Sequence, residues 1–515
     1  MKISKKIISI LLSVVMIAVI AIPAFAAETD NEHPTIYVTG AQVNELIDAE
    51  GNVIYPNDVD AGQVIKDALM PCLKKLLSGF LTGDYKPYVE EFQKAFSPIF
   101  ADRVLDENGE ASDGSHSTRT IYNCNMPGKT SGYSEYDYEL GYDWRLSPLT
   151  TADELKIFIE KVKADTGEDK VNLMGRCYGA NVVAAYLEKY KDHAIENVAD
   201  VSYLSSSILG IDMLDAIFTG EMVFEDQAIS NFVDYFMEGG ELIEDEATAS
   251  LITSLVEVFN QVSVLGYTGD MIGLLIDEIK YDLFPALLLD SYGTMPSYWS
   301  MVSPDKYEDA IDFVFPDAES KAKYAKLIEK TEAYYREVQL NFEETTAYLT
   351  EKGINFNFFV KYNFPDIPIY AGATQQGDGT TSVYKQSLGA TAADFGKILD
   401  DDYLNSLETY KYLSPDLIID ASTCLYPETT WFVKDLHHET FPHNFNNLAI
   451  EVMKHDYTVS DGEYAQFLQW EDGDIVGEVE KNYAPPAQES EKSALFKFIT
   501  AIIKMILNLF KGVFA

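Results

Sequence analysis

Positive charge is scarce in this sequence of 515 residues: lysine and arginine number 38 against 83 acidic residues, for a formal net charge of -45. An exterior of that sign repels nucleic acid, so no nucleic-acid partner is expected. The acidic surplus is spread along the chain and reads as a solvated surface rather than a binding device. Cysteine is scarce as well, with only Cys72, Cys124, Cys177 and Cys424. Disulfides are therefore not the main source of stability, and the core has to hold itself together. If Cys177 is a working thiol, a Cys72–Cys124 bridge would leave Cys424 unpaired, and spacing does not decide the connectivity. Internal repeats are absent too.

What is present points to a large exported protein. With 47% hydrophobic and 13% aromatic residues, the chain is ample for a large core, and its length alone allows about three domains. Lys2, Lys5 and Lys6 precede an apolar stretch from Ile7 to Ile22 and then Ala24-Phe25-Ala26. That is the layout of a signal peptide over residues 1–26, which predicts a secreted or extracellular protein. The alternative is an uncleaved anchor, against which the polar run Glu28 to Glu32 counts. At the other end, Ala494 to Ala515 is apolar except for Lys497, Thr500, Lys504, Asn508 and Lys511, which share one helical stripe. An amphipathic helix lying on a membrane surface is expected over 494–515, the alternative being a helix docked on the domain.

Between these ends the pattern is βαβα. Pro34 to Gly40 and Lys170 to Met174 read as buried strands, Thr151 to Thr166 and Asn181 to Tyr190 as amphipathic helices, which predicts a parallel sheet. From about 209 to 362 the chain is acidic and helix-periodic, as in Leu251 to Val264 and Ala318 to Leu349, and reads as a helical cap inserted in the sheet. The strand signal returns at Ile367 to Ala371, and a last helix is expected over Asn444 to Lys454. The expected divisions are a core over 27–208, a cap over 209–362, the rest of the core over 363–460, and an acidic linker over 461–493.

One pentapeptide carries chemistry. Gly175-Arg176-Cys177-Tyr178-Gly179 stands between a predicted strand and a predicted helix, where a sharp turn lifts the central side chain to the top of a sheet. The dipole at the helix N-terminus favours the thiolate, the nucleophilic form of Cys177. A buried cysteine acting as a small hydrophobe is the plainer alternative. In this setting an acid and then a histidine follow the nucleophile along the chain. Asp378, in Gly377-Asp378-Gly379-Thr380, is the candidate acid, against an ordinary Asp-Gly turn. His437 and His438 are the candidate bases, of which one is expected to face the site. No spaced His or Cys accompanies that pair, so no metal is expected, and no cofactor.

Tyr142-Asp143-Trp144-Arg145 resembles the signature of the lecithin:cholesterol acyltransferase-like branch of the α/β-hydrolases, where it precedes the elbow by a similar distance. Gly377-Asp378-Gly379-Thr380 resembles the block that carries that branch's acid, and Thr39-Gly40-Ala41 its oxyanion turn. The resemblance implies an α/β-hydrolase fold, a mostly parallel central sheet flanked by helices with a large inserted helical cap. It also implies a Cys177, Asp378, His438 triad, with Gly40, Ala41 and Tyr178 at the oxyanion. His438 is preferred to His437 because His438-x-x-Phe441-Pro442 resembles related bacterial sequences; Trp144 and Arg145 are expected to be structural. Arg176, Cys177 and Thr39 depart from the histidine, serine and proline usual in the branch. The expected activity is hydrolysis or acyl transfer on a small-molecule or lipid ester, near a membrane surface. The rival expectation is a degenerate hydrolase fold serving as a binding or surface protein.

Overall fold

The computed structural model describes residues 33–56, most of 71–119, 138–238 and 268–481. The expected signal peptide, the helix over 494–515 and the helical stretch Leu251 to Val264 lie outside the described residues. Eight strands form the central sheet: β1 Thr35–Val38, β2 Tyr138–Leu140, β3 Val171–Arg176, β4 Val198–Leu204, β5 Asn355–Tyr362, β6 Thr430–Lys434, β7 Phe467–Glu471 and β8 Asp474–Glu478. Their order is β2-β1-β3-β4-β5-β6-β7-β8, parallel except for the last pair.

Residues alternate between the two faces of a strand, and the core divides accordingly. Ile36, Val38, Leu173, Tyr203 and Phe358 join one cluster with α1 (Pro148–Thr166) and α2 (Tyr178–Lys189). Their neighbours Tyr37, Met174, Leu204 and Phe359 join another with α3 (His443–His455) on the opposite face. Each large side chain so buried contributes about 1.5–3 kcal/mol, which is why a strand covered on both faces is apolar almost throughout. Local chemistry sets the ends of α1: Ser147 accepts from the Leu149 N–H, Pro148 takes the first turn, and Gly167 closes it with left-handed backbone.

Between β4 and β5 the described residues form helices and no strand, among them Asp212–Thr219, Thr268–Leu289 and Ala325–Glu337. A mostly parallel sheet covered on both faces, with a helical insertion at this crossover, has the α/β-hydrolase fold.

Two expectations need correction. The helical region ends before Asn355, because 355–362 is the central strand β5, whereas Ile367 to Ala371 carries no strand. Asn357 and Lys361 interrupt an otherwise apolar run there and hid it. The acidic segment from 461 is not a linker through 478, since β7 and β8 extend the sheet. Asp472 and Gly473, both at positive φ, make the two-residue hairpin turn between them, and the charged, exposed β8 closes the sheet edge against further pairing. Cys72, Cys177 and Cys424 are free thiols, and Cys124 lies outside the described residues.

Candidate active site

The strand order reverses at β1: β2 is added on one side and β3 on the other. In open α/β sheets the crevice beyond the carboxyl ends of strands at such a switch point is where ligands bind. Two turns meet there. Thr39-Gly40-Ala41 leaves β1 and Cys177 leaves β3, with Val38 paired beside Gly175. A Cβ on Gly40 would stand 3.5 Å from the Cys177 Cβ.

Cys177 has φ 47° and ψ -121°, a conformation that costs a non-glycine residue about 1–3 kcal/mol and persists only where the surroundings impose it. The Cys177 N–H donates to the Leu204 carbonyl at 3.0 Å, holding the turn to β4. Helix α2 begins at the next residue, and Gly179 lets it run tightly over β1, since a Cβ there would lie 2.1 Å from the Val38 carbonyl oxygen. The N–H of Tyr178 is thus at the helix start, among the groups that have no partner within the helix. The Tyr142 hydroxyl donates to the Thr39 carbonyl, and the Trp144 indole donates to Asn44 O at 2.9 Å. Arg145, fully buried, pairs with Asp143 at 2.6 Å and donates to Ser115 Oγ at 3.0 Å. The Tyr-Asp-Trp-Arg block therefore braces the turn that carries Gly40 and Ala41.

The acid and the base arrive from β5 and β6. Because β3, β4, β5 and β6 are successive parallel neighbours, the chain leaves all of them at the same sheet edge. Asp378 Oδ1 accepts from the N–H groups of Thr380 at 3.1 Å and Thr381 at 2.8 Å. That leaves Oδ2 for His438 Nδ1 at 2.7 Å, and His438 Nε2 lies 3.3 Å from Cys177 Sγ. The three are buried, at 6%, 0% and 2% exposure for Cys177, Asp378 and His438. Gly379 has φ +92°, and a Cβ there would come within 2.6 Å of His437 Nε2. Some 60 residues separate Asp378 from His438. Much of this stretch, including Val383, Ala390, Ile418 and Ile419, packs as its own cluster against Val360, Tyr362 and Phe432, so the long gap does not separate acid from base.

No protein-family model and no curated protein matches this chain. Among solved structures, one similar to it is described as the crystal structure of the Tle4-Tli4 complex. That likeness has 9% identity and a TM-score of 0.28, over 92% of this chain and 98% of the other. At that level it adds nothing to what the sheet itself shows.

Electrostatics distinguish the two adjacent histidines. His437 points elsewhere, edge-on to Phe364 at 5.1 Å, with Nδ1 accepting from the Glu439 N–H at 3.3 Å. Burial lowers its pKa to about 4, leaving it neutral. For His438, burial also disfavours the charge, but the Asp378 carboxylate and Cys177 outweigh it and raise the pKa. Asp378 is held below the usual carboxylate range: burial opposes ionisation, while His438, Lys361 and the Thr381 N–H favour it. The arrangement suits an imidazolium held against the Asp378 carboxylate.

Three further residues have no counterpart in the sequence reading of the site. Lys361 on β5 is fully buried, and its Nζ donates to the carbonyls of His437 at 3.3 Å, His438 at 3.1 Å and Thr440 at 2.7 Å. A lysine has three such donors, so one side chain ties down the loop that carries His438. A lone lysine in Phe358-Phe359-Val360-Lys361-Tyr362 was the available signal, since a charge within a buried strand needs partners. Glu439, beside His438, has its pKa raised to about 7, chiefly by burial. Arg176, noted in the sequence only as a departure from the motif it resembles, is buried next to Cys177. Among the described residues no group of His, Cys, Asp and Glu could hold a metal ion. The insertion is fastened to the same edge, for Lys385, shortly after Asp378, pairs with Asp212 and Asp215 at 2.8 Å each.

Proposed function

We propose that this protein is an exported hydrolase or acyltransferase of ester substrates, similar to the lecithin:cholesterol acyltransferase-like branch, working through an acyl-enzyme on Cys177. The observation that carries the reading is the hydrogen-bonded run from Asp378 through His438 to Cys177 at the switch point of the sheet. In this reading the thiolate attacks the ester carbonyl, forming a C–S bond while the carbonyl π pair moves onto oxygen. Backbone N–H groups of Gly40 or Ala41 and of Tyr178 receive that oxyanion; one such donor is typically worth about 10²–10³ in rate. His438, oriented by Asp378, then gives its proton to the departing alkoxide, leaving a thioester. Water or an acceptor alcohol, deprotonated by His438, attacks the thioester; the C–S bond breaks, the acyl group leaves as acid or ester, and the thiolate with protonated His438 is restored. Export through residues 1–26 and attachment to a membrane surface through 494–515 belong to the same proposal.

The test is turnover of 4-nitrophenyl butyrate by purified protein before and after iodoacetamide. Alkylation is expected to abolish activity, and Cys177→Ala to lower kcat/KM by about 10³-fold or more. A Cys177→Ala protein as fast as wild type would refute the assignment, and a chain inert to a broad ester panel with an unreactive Cys177 would be a binding protein on a hydrolase fold.

A further inference from the structure

Arg176 ends β3, one residue before Cys177, and is only 8% exposed. Its Nε lies 3.8 Å from where a Gly40 Cβ would stand, and that same position is 3.5 Å from the Cys177 Cβ. Its Cζ stands 3.8 Å from the centroid of Phe441, three residues after His438. The guanidinium therefore spans the gap between the turn after β1 and the loop after β6, the two walls beside the sulfur.

Stacking on Phe441 occupies only the face of the guanidinium. Its five N–H groups lie in the plane of a delocalised cation. Among the described residues Nε is buried without a partner. Glu439 feels the field of Arg176 without closing an ion pair with it. A buried cation left unpaired is costly, so a site that keeps one beside its nucleophile is built for an anion.

We propose that Arg176 receives a carboxylate on the ester substrate, a few bonds from the scissile carbonyl. The inference rests on the hydrolase reading of Cys177 and narrows its substrate class. A carboxylate is the fitting anion because a guanidinium with one face covered offers its planar edge, which matches two coplanar oxygens. The net charge of -45 opposes long-range attraction of such a substrate, so the selectivity acts at contact and survives added salt.

The test compares 4-nitrophenyl butyrate with the mono-4-nitrophenyl ester of succinic acid, which differs by a carboxylate in place of a methyl group. Wild type is expected to prefer the succinyl ester by about tenfold in kcat/KM, Arg176→Gln to lose that preference, and Arg176→Lys to keep part of it. A second readout needs no turnover: the rate of Cys177 alkylation by iodoacetate relative to iodoacetamide, followed by mass spectrometry on the Cys177 peptide. This ratio should fall about fivefold or more in Arg176→Gln. A preference unchanged by Arg176→Gln, or equal slowing of both esters, would overturn the proposal. If no ester is turned over, the hydrolase reading fails, and the alkylation ratio alone decides for or against the anion site.

Discussion

The two edges of the sheet each bury an aspartate, and they treat it in opposite ways. At the carboxyl edge Asp378 meets His438, Lys361 and two backbone N–H groups, and its carboxyl is held low despite complete burial. At the amino edge Asp200, which is 1% exposed at the start of β4, faces Asp456, and burial together with that like charge raises its pKa to about 7. Asp200 also lines a cleft of about 280 Å³ with Asn355, Glu428 and Thr458. Both carboxyls pay the desolvation penalty, so burial does not distinguish them. The sign of the neighbours does. Successive parallel strands deliver donors and a histidine to one edge, and there Asp378 is held as a carboxylate.

The sharpest way to break this contrast is to neutralise each acid in turn. Asp378→Asn should lower kcat for a chromogenic ester by about 10²–10⁴-fold, because the imidazole loses its orienting partner. Asp200→Asn should leave kcat within about twofold. Comparable losses in both would erase the distinction.

A smaller effect is expected from Lys361→Met, which keeps the aliphatic stem but removes the donors to three carbonyls of the histidine loop. As a positioning change it should lower kcat about 10–100-fold with KM within about twofold, and slow Cys177 alkylation. A loss confined to melting temperature would make Lys361 purely structural.

The smallest effect concerns stability against pH. Unfolded Asp200 releases its proton near 3.8 and folded Asp200 near 7, so the folded state binds more protons in that window. Stability therefore falls as pH rises through it. Asp200→Asn removes this penalty and should gain about 2 °C in melting temperature over wild type between pH 5 and pH 8. A difference of the opposite sign would mean that the field around Asp200 favours its charge.

Short-range chemistry made part of this protein legible. A strand ending in glycine, a constrained turn and a helix at once are properties of neighbouring residues, so Cys177 could be placed on its elbow from residues 170–190 alone. The order of acid and histidine came instead from the chain order known for this kind of elbow. The tertiary structure decided the rest. Which of His437 and His438 turns to the sulfur depends on Lys361 and Asp378, which reach that loop from another strand and its following turn. β5 was hidden because its lysine looks like surface until the carbonyls around it are known, and the hairpin over 467–478 because acidic composition masked an Asp-Gly turn. Arg176 read as a mere replacement in a motif. That its Nε finds no partner among the described residues is a fact about what surrounds it, and only the assembled fold contains that.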